Sequence, residues 1–424
     1  METITSAAIA FEGEIPISLH YDDVYFSKAG GVAESDYVFI QGNRLPERWQ
    51  EWKEAEASPS FTTSPSFTIV ETGFGTGLNF ILAAACFLKH APSDKTLHFV
   101  SFEKHPLTLE DLERFHRSFF NEQQALGEQQ AFREQQANAC LISQALLRYY
   151  PPAVAGFHRL PAIEHRIFLT LIYGDLSITA PQLKTPVSAW FLDGFSPRKN
   201  PDMWNPVLFQ TIRRLSTKDT TLATFTAASF VHQAIQETGA VVKKIKGFGK
   251  KREMITAAFS KDPNEPNQYI LSQSPWNHFT YTPSAQKKVL VLGAGLAGCH
   301  TAFSLAQRGF HVQLIEQHAH VAGEASGNLA ALVYTHFSIP RVPINLYYET
   351  AFFYTLRFLS RLKEIYPDFS WNPKGILEIP HHSSAEVILN QLVETGLWKD
   401  SLVRLSPEEI SELPYLTEKK HIYK

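Results

Sequence analysis

The sequence predicts an α/β protein made of two units in series, and three observations carry that prediction. Two glycine-rich turns, SFTIVETGFGTGLNF at 66–80 and KKVLVLGAGLAGCH at 287–300, each join an apolar β-like run to a helical pattern. Short β-branched and aromatic runs alternate with amphipathic segments through the first 260 residues, the pattern of a mainly parallel sheet covered on both faces. Between the two turns lies LSQSPWNHFTYTPSAQ at 271–286, rich in Ser, Pro, Thr and Gln and without steady periodicity, which reads as a linker. The expected division is therefore a first unit at 1–270, a linker at 271–286 and a second unit at 287–424.

Within the first unit, strands are expected at Thr68–Glu71, Leu97–Phe102, Ile167–Tyr173, Ala189–Leu192 and Leu222–Thr226. Helical patterns follow most of them, for example Leu78–Lys89 and Ser229–Thr238. The segment Val241–Ser260 reads as two strands joined by a turn at Gly247–Gly249. An antiparallel hairpin at the edge of such a sheet fits class I methyltransferases. A tandem repeat, EQQALG-EQQAFR-EQQANA at 122–139, is too short and too polar for a solenoid. Its Gln, Glu and Ala favour helix, so it reads as an exposed helical extension without chemistry.

Composition narrows the class. The 424 residues are 44% hydrophobic and 19% charged, with 31 Phe, enough to bury sizeable cores and too apolar for a mainly disordered chain. Apolar runs such as Phe80–Leu88 stop well short of the roughly 20 residues that span a bilayer. The N-terminus METITSAAIAFEGE lacks a basic leader, and Cys86, Cys140 and Cys299 lie far apart without a CxxC. A cytoplasmic protein without a membrane segment or metal is expected, and a monomer. The net charge of −3 does not advertise a nucleic-acid binder, yet Lys243, Lys244, Lys246, Lys250, Lys251 and Arg252 form a basic cluster. That cluster reads either as a phosphate-attracting patch or as a solvated hairpin edge whose lysines block aberrant strand pairing.

Glu71, Gly73, Gly75 and Gly77 form E-x-G-x-G-x-G at a strand-to-helix turn. Glycines let the backbone turn sharply and approach a ligand, and the following helix N-terminus suits an anionic group such as an amino-acid carboxylate. Glu103 ends the next strand, where an acid accepts hydrogen bonds from ribose hydroxyls. Asp175 and Asp193 also close strands, and ligands of open α/β sheets bind beyond the carboxyl ends of strands. Asp175 is placed to accept from an adenine amino group. Both aspartates also have bland readings, as turn residues or helix caps.

The stretches ETGFGTGLNF, SFEKHPL, FLDGFSPRKNPDMW and GFGKKREM, with DDVYFS at 22–27 and VFIQGNRLPERW at 38–49, resemble the bacterial bifunctional enzymes that modify the tRNA wobble uridine. The resemblance covers nearly all of residues 10–260 apart from the EQQA insert. It implies transfer of a methyl group from S-adenosylmethionine to the amine of 5-aminomethyl-(2-thio)uridine at tRNA position 34. Asp193 would orient the ammonium and accept or relay its proton. Phe195 and Trp204 would stack on the displaced uracil, unless Trp204 simply packs in the core. Arg198 and Lys199, with Lys250, Lys251 and Arg252, become tRNA phosphate contacts.

In the second unit, the apolar run Val289–Leu292 leads into Gly293, Gly295 and Gly298 as G-x-G-x-x-G, and a second strand, FHVQLIE, ends in Glu316. An acid at that distance is the ribose acceptor of the dinucleotide fingerprint and argues against NADP. FAD and NAD share the fingerprint. The run ASGN at 325–328 resembles FAD-dependent amine oxidases of the D-amino-acid oxidase type, which implies FAD contacts from Ser326 and Asn328. The implied reaction converts 5-carboxymethylaminomethyluridine to the aminomethyl base. Residues 287–424 are fewer than that domain needs, so an incomplete flavin domain with doubtful oxidase activity is expected. Two other readings stay open: a small-molecule N-methyltransferase fused to a nucleotide-binding remnant, and a non-catalytic tRNA-binding protein.

Overall fold

The computed structural model describes residues 4–13, 15–26, 30–56, 66–120, 130–161, 163–263, 288–340, 342–398 and 401–412. The expected linker at 271–286 and the first part of the EQQA repeat lie outside the described residues.

The chain opens with a small antiparallel sheet of β1 (Ile9–Glu12), β2 (Ile15–Ser18) and β3 (Asp23–Val24). Helix α1 (Gly31–Ser35) runs into a π-helical turn at Asp36–Gln41, and α2 (Leu45–Glu56) follows. Then β4 (Ser66–Glu71), α3 (Leu78–His90), β5 (Thr96–Glu103), α4 (Leu109–Phe119) and α5 (Gln130–Tyr149) begin the large layer. It continues through β6 (Gly156–Arg159), β7 (Ile167–Tyr173), α6 (Leu176–Thr179), β8 (Val187–Phe191), α7 (Pro206–Leu215), β9 (Ser216–Thr224) and α8 (Ser229–Glu237). The hairpin β10 (Val241–Lys246) and β11 (Glu253–Ala258) closes it.

These strands form an eight-stranded sheet in the order β10-β11-β9-β8-β4-β5-β7-β6. The five central strands β9, β8, β4, β5 and β7 are parallel, and β11 runs antiparallel to β9. All five expected strands and the edge hairpin are therefore present. The sheet also gains β6, antiparallel to β7, which the sequence does not predict. Its sequence GFHR is too short and polar to carry a strand signal.

Alternation along the central strands sends side chains into two cores. Ile69, Ala189 and Phe191 pack into one with Phe80, Ile81 and Phe87 of α3, while Val70, Trp190 and Leu192 pack into the other with Leu208 and Ile212 of α7. This period of two is what a sheet covered on both faces requires. Because the strands are parallel, their carboxyl ends line up along one rim, which sets the place of the site.

Beyond residue 287, β12 (Lys288–Leu292), α9 (Leu296–Ala306) and β13 (His311–Ile315) form a βαβ unit with a two-stranded parallel sheet. Helices α10 (Pro343–Ile365), α11 (Ser383–Glu394) and α12 (Pro407–Ser411) follow. Parallel sheets are normally buried on both faces. Here Leu292 and Leu296 keep 75% and 68% of their surface exposed, so the apolar surfaces of this unit are largely open. The second unit meets the first through α10, which packs on β6. Phe353 joins Val154 in a small apolar cluster, and Glu364 receives Arg148 at 3.1 Å and the Tyr149 hydroxyl at 3.2 Å.

Candidate functional site

A cavity of about 690 Å³ opens at the carboxyl ends of β4, β5, β7 and β8, within the range of small-molecule sites. Its floor is the first glycine turn. Gly75 and Gly77 adopt left-handed φ values of 52° and 74°, which side chains disfavour, and Gly77 caps α3. A Cβ on Gly73 would stand 3.3 Å from the Gly194 Cα, so the turns after β4 and β8 meet at two glycines.

The acids at the strand ends converge as the sequence predicts. Glu103 takes the Gly75 N–H on one carboxylate oxygen at 2.9 Å and the His105 N–H on the other at 2.8 Å. Burial raises its pKa, partly offset by these backbone donors. Asp175 caps α6 through the Ser177 N–H at 2.9 Å and receives Lys104 Nζ at 2.7 Å. Burial pushes its pKa up, but the Lys104 and Ser177 hydrogen bonds outweigh that and leave it lowered. Asp175 is thus a helix cap and also a wall residue of the cavity.

Asp193 follows β8 and sits partly exposed in the cavity wall. Its Oδ1 accepts the Gly194 N–H at 2.8 Å, and its Oδ2 accepts Asn79 Nδ2 at 2.6 Å. Burial lifts its pKa to about 6. Asn79 Nδ2 also donates to Glu71 Oε1 at 2.9 Å, while the Ser35 hydroxyl donates to Asn79 Oδ1. Glu71 is fully buried, with Ser101 Oγ donating to Oε2 at 2.6 Å. Burial first, and Asp193 second, push its pKa well above the carboxylate range. Glu71 therefore does not face a ligand: it lies beneath the turn, behind Asn79.

Phe195 stands in the wall between Tyr21 and Tyr25, at ring-centroid distances of 4.7 and 5.2 Å. Trp204, by contrast, is 4% exposed and packs in the second core with its indole N–H toward the Phe195 carbonyl, so of its two readings the structure supports core packing. The basic cluster divides. Lys243, Lys244 and Lys246 lie on β10, the outer edge of the sheet, where charge discourages strand addition. Lys250 and Arg252 are exposed at the hairpin turn, and so is Arg198 after β8. Lys199 instead pairs with Asp22 and Asp23 of the N-terminal sheet. Lys251 turns toward the cavity, with Nζ 2.8 Å from Glu34 Oε1 and 4.4 Å from the Phe225 ring centre.

Sequence reading missed Asn79, Ser35, Ser101, Glu34, Tyr21 and Tyr25. For Asn79 a signal existed: it is the polar residue early in the apolar run LNFILAAACF. The tyrosines reach the site through the small N-terminal sheet, which no local pattern links to a distant strand end.

In the second unit, the glycine turn is formed as expected. Gly293 has φ 92°, and a Cβ on Gly298 would fall 1.8 Å from the Gly293 carbonyl oxygen. Glu316 Oε2 accepts the Ala294 N–H at 2.7 Å and Oε1 accepts the His318 N–H at 3.0 Å, beside Gly295 in the same loop. Ser326 Oγ accepts the Leu296 N–H at 3.1 Å, and Asn328 is exposed. These residues gather around the second glycine turn, between the ends of β12 and β13 and the start of α9. Among the described residues, no group of His, Cys, Asp or Glu is arranged to hold a metal, and no helix is long and apolar enough to cross a membrane.

Fold and site together define an α/β protein with a methyltransferase fold, followed by part of an FAD-dependent oxidoreductase region. Residues 137–260 match the family described as S-adenosyl-L-methionine-dependent methyltransferase, and residues 288–420 the family described as FAD dependent oxidoreductase. Over 398 residues the chain is 35% identical to the tRNA 5-methylaminomethyl-2-thiouridine biosynthesis bifunctional protein MnmC of Marinomonas sp. (strain MWYL1), covering 94% of this chain and 55% of that protein. It is 38% identical over 397 residues to the MnmC of Ectopseudomonas mendocina (strain ymp), again covering 94% and 55%. The crystal structure of MNMC2 from Aquifex aeolicus aligns at a TM-score of 0.44 and 20% identity, covering 61% of this chain and 72% of that one. The chain is a homologue of the MnmC proteins, and it spans about half the length of the curated relatives it matches.

Proposed function

We propose that the first unit transfers a methyl group from S-adenosylmethionine to the amine of 5-aminomethyl-(2-thio)uridine at the wobble position of tRNA. The observation that carries this reading is Asp193: a carboxylate oriented by Asn79 and the Gly194 N–H, in the wall of a ligand-sized cavity, beside Phe195. S-adenosylmethionine, when bound, supplies an electrophilic methyl group. The cavity fits it: the glycine turn admits close backbone approach, and Glu103 presents a carboxylate fixed by two backbone N–H groups. An alkylammonium has no lone pair, so the amine must shed a proton before it attacks. Asp193 can hold that ammonium and take the proton. Phe195, braced by two tyrosines, offers a face for an unstacked uracil. The rest of the rate enhancement is assigned to alignment of amine and methyl within the cavity.

For the second unit we propose part of an FAD-dependent oxidoreductase of the kind that acts on the carboxymethylaminomethyl form of the same base, without turnover by the described residues alone. Its glycine turn and Glu316 suit the adenosine end of FAD. The exposure of Asn328, Leu292 and Leu296 argues that the described residues alone do not enclose a flavin.

The test is nucleoside mass spectrometry on tRNA carrying both the carboxymethylaminomethyl- and aminomethyl-uridine, incubated with the protein, S-adenosylmethionine and FAD. The aminomethyl form should gain a methyl group while the carboxymethylaminomethyl form persists. If folded protein leaves both unchanged, the methyltransferase reading is wrong. Loss of the carboxymethylaminomethyl form would show a working oxidase.

A second prediction concerns tRNA docking. Lys250 and Arg252 are exposed outside the cavity, so Lys250→Ala with Arg252→Ala should weaken tRNA binding and lower the salt slope by roughly 0.7–0.9 for each phosphate the two side chains neutralise. Lys243→Ala on the edge strand should leave that slope in place. Equal slopes for both variants and the wild type would leave Lys250 and Arg252 as solvated turn residues without a phosphate contact.

A further inference from the structure

Lys251 belongs by sequence to the basic cluster, and although its side chain stays 44% exposed, it reaches the cavity wall. Its ammonium pairs with Glu34, whose side chain is only 12% exposed, and lies over Phe225. Both members of the pair line the same cavity as Asp193. A short bridge joins the two acids: Ser35, next to Glu34, donates to Asn79, and Asn79 donates to Asp193. The coupling is electrostatic as well, since Glu34 raises the Asp193 pKa and Lys251 lowers it.

The charge arithmetic of this corner is simple. With Asp193 ionised, two carboxylates share it with one ammonium, and that ammonium is engaged by Glu34. One negative charge is left over, which suits an alkylammonium guest. A guest whose amine carries a carboxymethyl group brings its own carboxylate into a corner already in negative excess, with the local cation committed elsewhere. Like charges at close range are costly and serve as a rejection device.

We propose that the Glu34–Lys251 pair is the specificity element of the methyl-transfer pocket, admitting an amine without a neighbouring carboxylate and excluding its carboxymethylated counterpart. The inference rests on the methyl-transfer reading above. It predicts what removal of the Glu34 charge does. Lys251 is then released to meet a substrate carboxylate, and the corner becomes neutral, matching a zwitterionic carboxymethylammonium. That secondary amine, once deprotonated, forms the new nitrogen–carbon bond with its lone pair as the sulfur–methyl bond breaks. The product is a tertiary amine, the neutral thioether departs, and the proton has gone to Asp193 or water.

The experiment compares kcat/KM for two tRNA substrates, one with 5-aminomethyluridine and one with 5-carboxymethylaminomethyluridine, without FAD. The wild type should favour the aminomethyl form by about a hundredfold, and Glu34→Gln should shrink that ratio by at least about tenfold. Adding Lys251→Gln to Glu34→Gln should restore the discrimination, because the released cation is gone. S-adenosylmethionine binding by calorimetry verifies that each variant is folded. A folded Glu34→Gln protein with the wild-type ratio overturns the proposal, and so does a double variant that stays relaxed. Equal wild-type rates on the two substrates overturn it without any variant. A wild type that methylates neither substrate removes the methyl-transfer reading itself, and this inference with it.

Discussion

Asp193→Asn should abolish most methyl transfer, by about 10²–10⁴-fold in kcat, the usual worth of a positioned proton acceptor. The substitution keeps the shape of the side chain, and its carbonyl oxygen can still accept the Gly194 N–H at the Oδ1 position. What it removes is the negative charge and the ability to take a proton. It also sets an NH₂ group against Asn79 Nδ2, where a carboxylate oxygen now accepts at 2.6 Å. That mismatch costs about 1–3 kcal/mol of stability, too little to unfold the domain. Affinity for S-adenosylmethionine should change only a few-fold, because Glu103 and the glycine turn are untouched. The pH profile gives an independent check. Burial raises the Asp193 pKa to about 6, so below that pH the carboxyl is protonated and cannot accept from the ammonium. The wild-type rate should therefore fall as pH drops through about 6, and the Asn variant should lack that inflection. An unchanged kcat at saturating cofactor would take Asp193 out of the chemistry.

How far the site was legible depends on what kind of signal each residue leaves. Glu71, Glu103, Asp175 and Asp193 each end an apolar strand run, and a polar residue after such a run marks a carboxyl end. Because parallel strands share one rim, four local observations became one crevice. The sequence could not tell which acids face it. Glu71 sits behind Asn79 in the core, while Asp193, with a similar local pattern, reaches the cavity. The turns after the two strands differ: Gly75 and Gly77, with φ 52° and 74°, lead the chain from Glu71 into α3, whereas Gly194, with φ 132°, follows Asp193 directly and donates its N–H to it. The basic cluster shows the same limit. Its charge is plain in the sequence, but along a hairpin and its turn, neighbouring residues point in different directions. Lys244 pairs across the hairpin with Glu253, Lys250 faces solvent, and Lys251 reaches into the cavity. The N-terminal sheet was the larger omission. Its strands are only two to four residues long, too short for periodicity to register, yet they deliver Tyr21, Asp23 and Tyr25 to the site.

Asn79→Leu is expected to be the most damaging substitution at the site for stability, because Asn79 is buried, at 7% exposed, and bridges three polar side chains. Leucine has nearly the right volume, so no cavity opens and the loss is one of hydrogen bonding. Three partners are stranded at once: Glu71 Oε1, Asp193 Oδ2 and the Ser35 hydroxyl. Leaving a buried polar group unsatisfied costs about 1–3 kcal/mol, so the buried Glu71 and Ser35 groups together set an expectation of about 3 kcal/mol, with Asp193 facing the cavity. For a domain of this size that corresponds to a fall in Tm of roughly 6–12 °C. Activity should fall as well, even well below the new Tm, because Asp193 loses the donor that fixes its Oδ2 and can rotate out of line with the amine. Asn79→Asp separates the two effects. It is closer in shape, but it adds a third carboxyl between Glu71 and Asp193, and like charges raise one another's pKa. The acid limb of the pH–rate profile should then move above the wild-type value near 6, as Asp193 becomes harder to ionise. If Asn79→Leu melts like the wild type, or Asn79→Asp leaves the acid limb in place, the bridge between the buried acid and the catalytic carboxylate carries neither stability nor function.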